Sequence, residues 1–320
     1  MPGSLTGMAG NGASQNLIPF TVSGNTISPG TPIDISGQCV PQTPPVNCDG
    51  SAVVMPDQNT AIVALNAFGS NYLLEANLTT SPPTFSTIPM TMGTPEDTSG
   101  LAMSPDGQVL VSRGAHLNVF KETGTDAYSE TAQVTVLDPA DSSNGLRGRE
   151  GVDVFKASSG DYQALVANTS TSPQNGTLWL FAGLGTSSPM GVASTRIDPS
   201  LHGYSVATDG YTAFVGTDVG IAIVGGVNKE TFPSDIRSVA TPASCVLGQT
   251  LMQVSSVAVI PGKQAWLVAM GLSGPASGPG GATGCIDVMP IIYTGGIPSL
   301  GAPVESETVT APPNDQLIVF

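Results

Sequence analysis

Side chains able to do chemistry are scarce here: the 320 residues include nine Lys plus Arg, 24 Asp plus Glu and two His. The densest polar run is GLRGREGVD, from Gly145 to Asp153, which supplies Arg147 and Arg149. With Arg113 these make three of the nine cationic residues. Arginine forks suit bidentate recognition of a carboxylate, so a cluster of them in an acidic chain points to an acidic ligand or partner surface. The competing reading is a structural network in which Glu96, Asp97 and Glu150 neutralise Arg147 and Arg149, as surface ion pairs commonly do. Asp49, Glu96, Asp153 and Asn168 offer the hard oxygen donors that Ca²⁺ prefers, although no EF-hand or nonapeptide calcium motif is present. His202, in LHGYSVATDG, is a candidate general base or ligand contact, and His116 is a weaker one; either reads equally as a solvated histidine. No G-x-S-x-G elbow, Walker loop or H-E-x-x-H occurs, so the sequence gives no handle for those mechanisms. The Gly-rich segment from Gly271 to Gly284 lacks the lysine and following helix of a phosphate loop and reads as a long hairpin insertion.

The four cysteines fall in loop-rich contexts. Cys39 and Cys48 flank a Pro-rich loop, GQCVPQTPPVNCDG, while Cys245 and Cys285 lie in the last third of the chain. Pairing Cys39 with Cys48 and Cys245 with Cys285 is one of three connectivities and is the expectation; free buried thiols are the alternative. No CxxC spacing supports zinc.

These residues are carried by a repeat. At intervals of roughly fifty residues an apolar strand runs into a Pro/Asp/Gly/Asn turn and out into a second apolar strand. The copies read AVVMPDQNTAIVAL from Ala52, LAMSPDGQVLVSRG from Leu101, VDVFKASSGDYQALVAN from Val152, YSVATDGYTAFVGT from Tyr204, VAVIPGKQAWLVAM from Val257 and TVTAPPNDQLIVF from Thr308. A fifty-residue unit accommodates four strands and their turns, the size of one propeller blade. The expectation is an all-β, six-bladed β-propeller with four-stranded blades, spanning residues 1–320 as one domain. Its closing blade is composite, formed from 16–35 and 307–320: two C-terminal inner strands, and two outer strands from LIPFTV (Leu17 to Val22) and TPIDI (Thr31 to Ile35). A pair of β-sandwiches also has short strands and Gly/Pro-rich turns, but does not require a repeat of this length. No stretch shows sustained 3.6-residue periodicity with caps, so helix content should be very low. In a propeller, the loop leading into each blade and the hairpin between its second and third strands open on one face. Arg113, Arg147, Arg149 and His202 are therefore expected around one channel mouth, with Asp49, Glu96, Asp153 and Asn168 nearby.

Composition narrows the partners. Only 10% of residues are charged and the net charge is −15, which argues against nucleic acid, whose phosphates require a basic stripe, and against anionic lipid surfaces. No run of about 18 apolar residues marks a membrane span. The low-charge, turn-rich composition and even cysteine count suit an extracellular or periplasmic protein. Met1 to Gln15 lacks the basic and apolar regions of a secretory leader, and the expectation is that one has been removed. Sequons at Asn77, Asn168 and Asn175 add little, since they arise by chance in Ser/Thr-rich chains.

The segment GLAMSPDGQVLV, from Gly100 to Val111, resembles the G-L-A-x-S-P-D-G-x-x-L-x-V element of YVTN-type and phosphogluconolactonase-like propellers. Tyr204 to Thr217 and Val257 to Met270 are weaker copies. The YVTN tetrad itself is replaced by VSRG, VANT and VGTD, and six blades are read where lactonase-like relatives usually have seven. The resemblance implies the fold, in a group that includes surface-layer proteins, binding modules and lactonases. Six-bladed gluconolactonase-like enzymes hold a channel Ca²⁺ with Glu, Asn and Asp; such residues occur here but align to no motif, so no catalytic residue is carried over. The leading expectation is a secreted, non-enzymatic interaction or cell-surface scaffold module with a protein or cell-surface partner and no required cofactor. The alternative is a Ca²⁺-dependent lactonase-like hydrolase with its site at the channel mouth.

Overall fold

In the computed structural model the repeats form six antiparallel sheets arranged as blades around a central channel. The structure describes residues 4–11, 15–23, 26–38, 49–66, 72–92, 98, 100–114, 116–124, 127–135, 137–138, 141–145, 151–168, 177–197, 203–227, 237–242, 251–260, 265–273, 283–309 and 317–319. Among these the only helical element is a 3₁₀ turn, Ser36–Gln38, and no helix is long and apolar enough to cross a membrane.

Blade one comprises Asp49–Asp57, Thr60–Asn66, Tyr72–Asn77 and Thr84–Pro89. Blade two comprises Gly100–Met103, Val109–Arg113, His116–Gly124 and Ala127–Thr135. Blade three comprises Val152–Lys156, Tyr162–Asn168, Thr177–Ala182 and Met190–Arg196, and blade four Gly203–Thr208, Thr212–Thr217, Gly220–Gly225 and Arg237–Ala240. Blade five begins with Leu251–Ile260, Trp266–Ser273 and Thr283–Thr294. Its fourth strand is broken in two: Ile297–Leu300 pairs with one half of Thr283–Thr294 and Glu305–Val309 with the other. The first strand of each blade is innermost and lies beside that of the next blade all round the ring.

The expected composite blade is present, with a different division of the chain. Among the described residues only Leu317–Val319 comes from the C-terminal end; it pairs with Ser4–Asn11, which pairs in turn with Asn16–Ser23. The outer position is shared by Thr26–Pro29 and Ile33–Asp34. The split is thus one plus three, not two plus two, and Glu305–Val309 belongs to blade five rather than to a closing hairpin. The reason lies in side-chain character. ESETV is polar and suits an outer strand, whereas Ser4–Asn11 occupies the second position by burying Met8 beside Leu17, Val53 and Val63.

Strict two-residue alternation builds the interior. On the second strand of blade three, Ala164 and Val166 join Ala102, Val111 and Trp179 in the core between blades two and three. Leu165 and Ala167, one residue out of phase, join Val206, Ala213 and Val215 in the core between blades three and four. One strand thereby feeds two cores, because successive side chains point to opposite faces of the sheet. Fully burying a residue such as Phe181, which has no exposed surface, contributes roughly 1.5–3 kcal/mol. The blades approach so closely that a Cβ on Gly151 would lie 2.3 Å from the Ser205 Cα. The turns between first and second strands follow the sequence expectation, with Gly107 and Gly210 at φ 73° and 84° in the left-handed region. A short hairpin, Leu137–Asp138 with Asp141–Gly145, lies between blades two and three and has no counterpart in the repeat.

Cys285 is buried and disulfide-bonded. Cys39, Cys48 and Cys245 lie outside the described residues.

Deleting Gln316 to Phe320 removes the innermost strand of the closing blade. The expected loss is about 3 kcal/mol or more, the scale of a large core truncation, read as a lowered and broadened urea transition. An unchanged midpoint would show that ring closure does not depend on this strand.

Candidate functional site

The inner strands of blades one to five enclose a cavity of about 750 Å³ along the ring axis. Its wall is largely aliphatic, with Val54, Leu101, Val152, Val206 and Val257 each contributed by a different blade. The cavity reaches the rim formed by the turns between first and second strands, marked by Pro56, Asp106, Gly107, Asp209 and Gly210. This is the face opposite the one on which the sequence places the candidate cluster.

Three carboxylates border the cavity, and each is engaged by hydrogen bonds. Asp153 projects from the inner strand of blade three. Its Oδ2 accepts from the Thr208 backbone N–H of blade four at 2.6 Å, and its Oδ1 accepts from the Val154 N–H at 2.8 Å. Burial pushes its carboxyl up to about 7, against the downward pull of those two donors. At the rim, Asp106 in the Pro-Asp-Gly turn of blade two reaches blade three. It accepts from the Tyr162 hydroxyl at 2.8 Å and from Lys156 Nζ at 3.1 Å. Burial pushes Asp106 up, but hydrogen bonds from Tyr162, Ser104, Lys156 and the Gln108 N–H outweigh it and bring the group down to about 2. Lys156 also stands 4.7 Å from the centre of the Tyr162 ring.

The same device recurs one pair of blades further on. Asp209, in the Thr-Asp-Gly turn of blade four, accepts from the hydroxyl of Tyr293 on blade five and from the Tyr211 and Thr212 N–H groups at 2.9 and 2.7 Å. Burial and the Asp209 bond raise the Tyr293 hydroxyl above its ordinary pKa. Two turn aspartates thus bracket their blades to a tyrosine of the next blade. The sequence reading recognises Asp106 and Asp209 only as turn formers; their equivalent positions in two copies were the available signal.

Of the sequence candidates, Asp153 alone is described with its side chain and borders the cavity. Asp49 begins the inner strand of blade one opposite Asn66, and Asn168 ends the second strand of blade three opposite Thr177. Asp153 is opposite Leu165, so Asn168 is three positions further along the same strand. Arg113 ends the second strand of blade two, opposite Gly100 and Leu117. Glu96, Asp97, Arg147, Arg149, Glu150 and His202 lie outside the described residues. His116 opens the third strand of blade two. Among the described residues no group of three His, Cys, Asp or Glu side chains converges as a metal site. Asp153, with both oxygens already accepting backbone N–H groups, does not by itself form a calcium cage.

Neither a family model nor a curated protein sequence matches the chain. Solved structures share its fold. A candidate 6-phosphogluconolactonase from Bacteroides uniformis is 11% identical with a TM-score of 0.50, the match covering 98% of this chain and 99% of that one. A protein from Lactobacillus plantarum is 10% identical with a TM-score of 0.50, covering 99% of both chains. Hydrazine synthase from Kuenenia stuttgartiensis, 13% identical at a TM-score of 0.47, is matched over 80% of this chain, which spans 66% of that one. The two full-length matches, at 10–11% identity, show a likeness of fold alone.

Asp153 carries a pH signature. Its folded pKa of about 7 stands above the ordinary 3.8, so the folded state keeps a proton that the unfolded chain releases. Its contribution is complete below about pH 4 and falls as pH rises to about 7, by up to about 1.4 kcal/mol per unit. The stability difference between wild type and Asp153→Asn should therefore shrink from pH 4 to pH 7 in urea titrations. A constant difference would show that Asp153 is ionised throughout.

Proposed function

We propose that this chain is a secreted, non-enzymatic β-propeller that acts as an interaction or cell-surface scaffold module. The observation that carries this reading is the use made of the polar groups around the channel. Asp106, Asp153 and Asp209 each hold one blade to the next, so these carboxylates support the ring rather than converge on a reacting atom. A rigid ring offers its loops and outer strands to a protein or cell-surface partner, and Arg113, Arg147 and Arg149 are the proposed contacts for an acidic surface, with His202 as a further candidate contact. No cofactor is required for this role.

The second reading, a Ca²⁺-dependent lactonase-like hydrolase, draws on Asp153 in the channel wall and on the full-length likeness to the 6-phosphogluconolactonase candidate. In that reading Asp49, Glu96 and Asn168 would join Asp153 around the ion. Hydrolysis of glucono-δ-lactone and 6-phosphogluconolactone, each with calcium and with chelator, separates the two. The scaffold reading expects no rate above buffer in any condition; a chelator-sensitive rate would overturn it.

Export is supported by the disulfide at Cys285, since such bonds persist in oxidising compartments. Peptide mapping without reduction should recover Cys39 linked to Cys48 and Cys245 linked to Cys285, each bridge stabilising by roughly 2–4 kcal/mol. Another connectivity would replace the proposed pairs, and four alkylated thiols would remove this support for export.

A further inference from the structure

We propose that the axial cavity is a binding site for a small apolar amine, a protonated nitrogen carried on a hydrocarbon or aromatic body, with Asp153 as its counter-charge. This goes beyond the scaffold role and is independent of it.

Size and lining come first. A volume of about 750 Å³ lies within the roughly 300–1,000 Å³ typical of sites that enclose a drug-sized molecule between apolar walls and a few polar anchors. Valine, leucine, alanine and methionine side chains from five blades supply such walls. They would desolvate a hydrocarbon body on the five sides they line, more than a flat surface can.

The polar groups then select the head. Asp153 is half-buried and borders the cavity. Its hydrogen-bond donors are two backbone amides, which leave acceptor capacity on both oxygens and supply no full positive charge. An ammonium has three donors and no acceptor, so it can use the lone pairs that the two amides leave free on Asp153.

Charge at the mouth points the same way. The ionisable residues bordering the cavity are Asp106, Asp153, Asp209 and Lys156, and Lys156 is already bonded to Asp106 and to the Tyr162 hydroxyl. An anion entering here meets three carboxylates against one committed cation, whereas a cation is drawn in by them and by the net charge of −15. A phosphorylated sugar acid is therefore the wrong ligand for this cavity on charge and on wall polarity.

Calorimetry with the full chain at pH 8, where Asp153 is ionised, tests this, using phenylbutylamine, phenylbutanol and phenylbutyrate as probes matched in body and differing in head group. One equivalent of the amine should bind at least roughly tenfold more tightly than the alcohol, with no detectable binding of the carboxylate. Asp153→Asn should bring the amine down to the affinity of the alcohol, leaving the alcohol unchanged. Ala258→Phe, which adds bulk to the wall on blade five, should weaken amine and alcohol alike. Equal binding of amine and alcohol, binding of the carboxylate at the level of the amine, or an amine preference that survives Asp153→Asn would each overturn the proposal. If Asp153→Asn does not fold, the three-probe comparison on wild type together with Ala258→Phe decides the matter. Retention of full amine affinity in Ala258→Phe places the amine elsewhere and rejects the site.

Discussion

A single four-stranded sheet has two faces to cover and no partner layer of its own, and in this protein buried clusters join neighbouring blades face to face from blade six through blade one to blade five. Ala164 and Val166 turn toward blade two while Leu165 and Ala167 turn toward blade four, so no blade has a core independent of its neighbours. Burial thus runs from blade to blade, and the inner strands of blades five and six bring the ends of that run together. The pairing of Leu317–Val319 with Ser4–Asn11 is therefore the junction on which the other interfaces rely. The close approach at Gly151 follows from the same requirement: inner strands converge on the axis, and a side chain there would meet the backbone of the next blade.

Polar bonds supplement this packing near the axis, where innermost strands have one edge without a neighbouring strand. Thr208 presents its N–H there and Asp153 accepts it. At the rim, Asp106 with Tyr162 and Asp209 with Tyr293 tie successive blades at their turns. Asp106 and Lys156 are both substantially exposed, at 40% and 48% of their side-chain surface, so solvent weakens their charge attraction. Their value is geometric, since they fix the angle between adjacent sheets at the radius where small rotations would open the seam.

The blade pattern was legible because it is local: five copies place an apolar strand, a turn and a second apolar strand within about fifteen residues, and the structure turns where Gly107 and Gly210 stand. The sixth copy misled because TVTAPPNDQLIVF has the same local form, while the strand that displaced its first half, Ser4–Asn11, has Leu5 and Met8 as its only large apolar residues, three apart among small and polar ones, with little two-residue alternation to reveal it. The hairpin Leu137–Gly145 is polar and escaped for a similar reason. At the site, Asp153 was recognised as an oxygen donor near the axis. Its bond to Thr208 and the brackets from Asp106 and Asp209 join residues 55 to 84 positions apart. No periodicity encodes such pairs; they emerge only once the ring sets which strands are neighbours.

The broken outer strands give a ring of similar blades two unlike halves. Blades one, two and three end in uninterrupted strands of six, nine and seven residues. Among the described residues, blade four ends in a strand of four, blade five in pieces of four and five, and blade six in pieces of four and two. An incoming extended segment joins a sheet by forming a ladder of backbone hydrogen bonds, and the ladder can grow only as long as the edge it meets. Among the described residues the circumference therefore carries its longest uninterrupted edges on blades one to three, where Met190 and Val192 stand 59% and 47% exposed along the blade-three edge. A ladder laid on that arc has room for six to nine residues, against four or five on the longest described pieces of the other three edges.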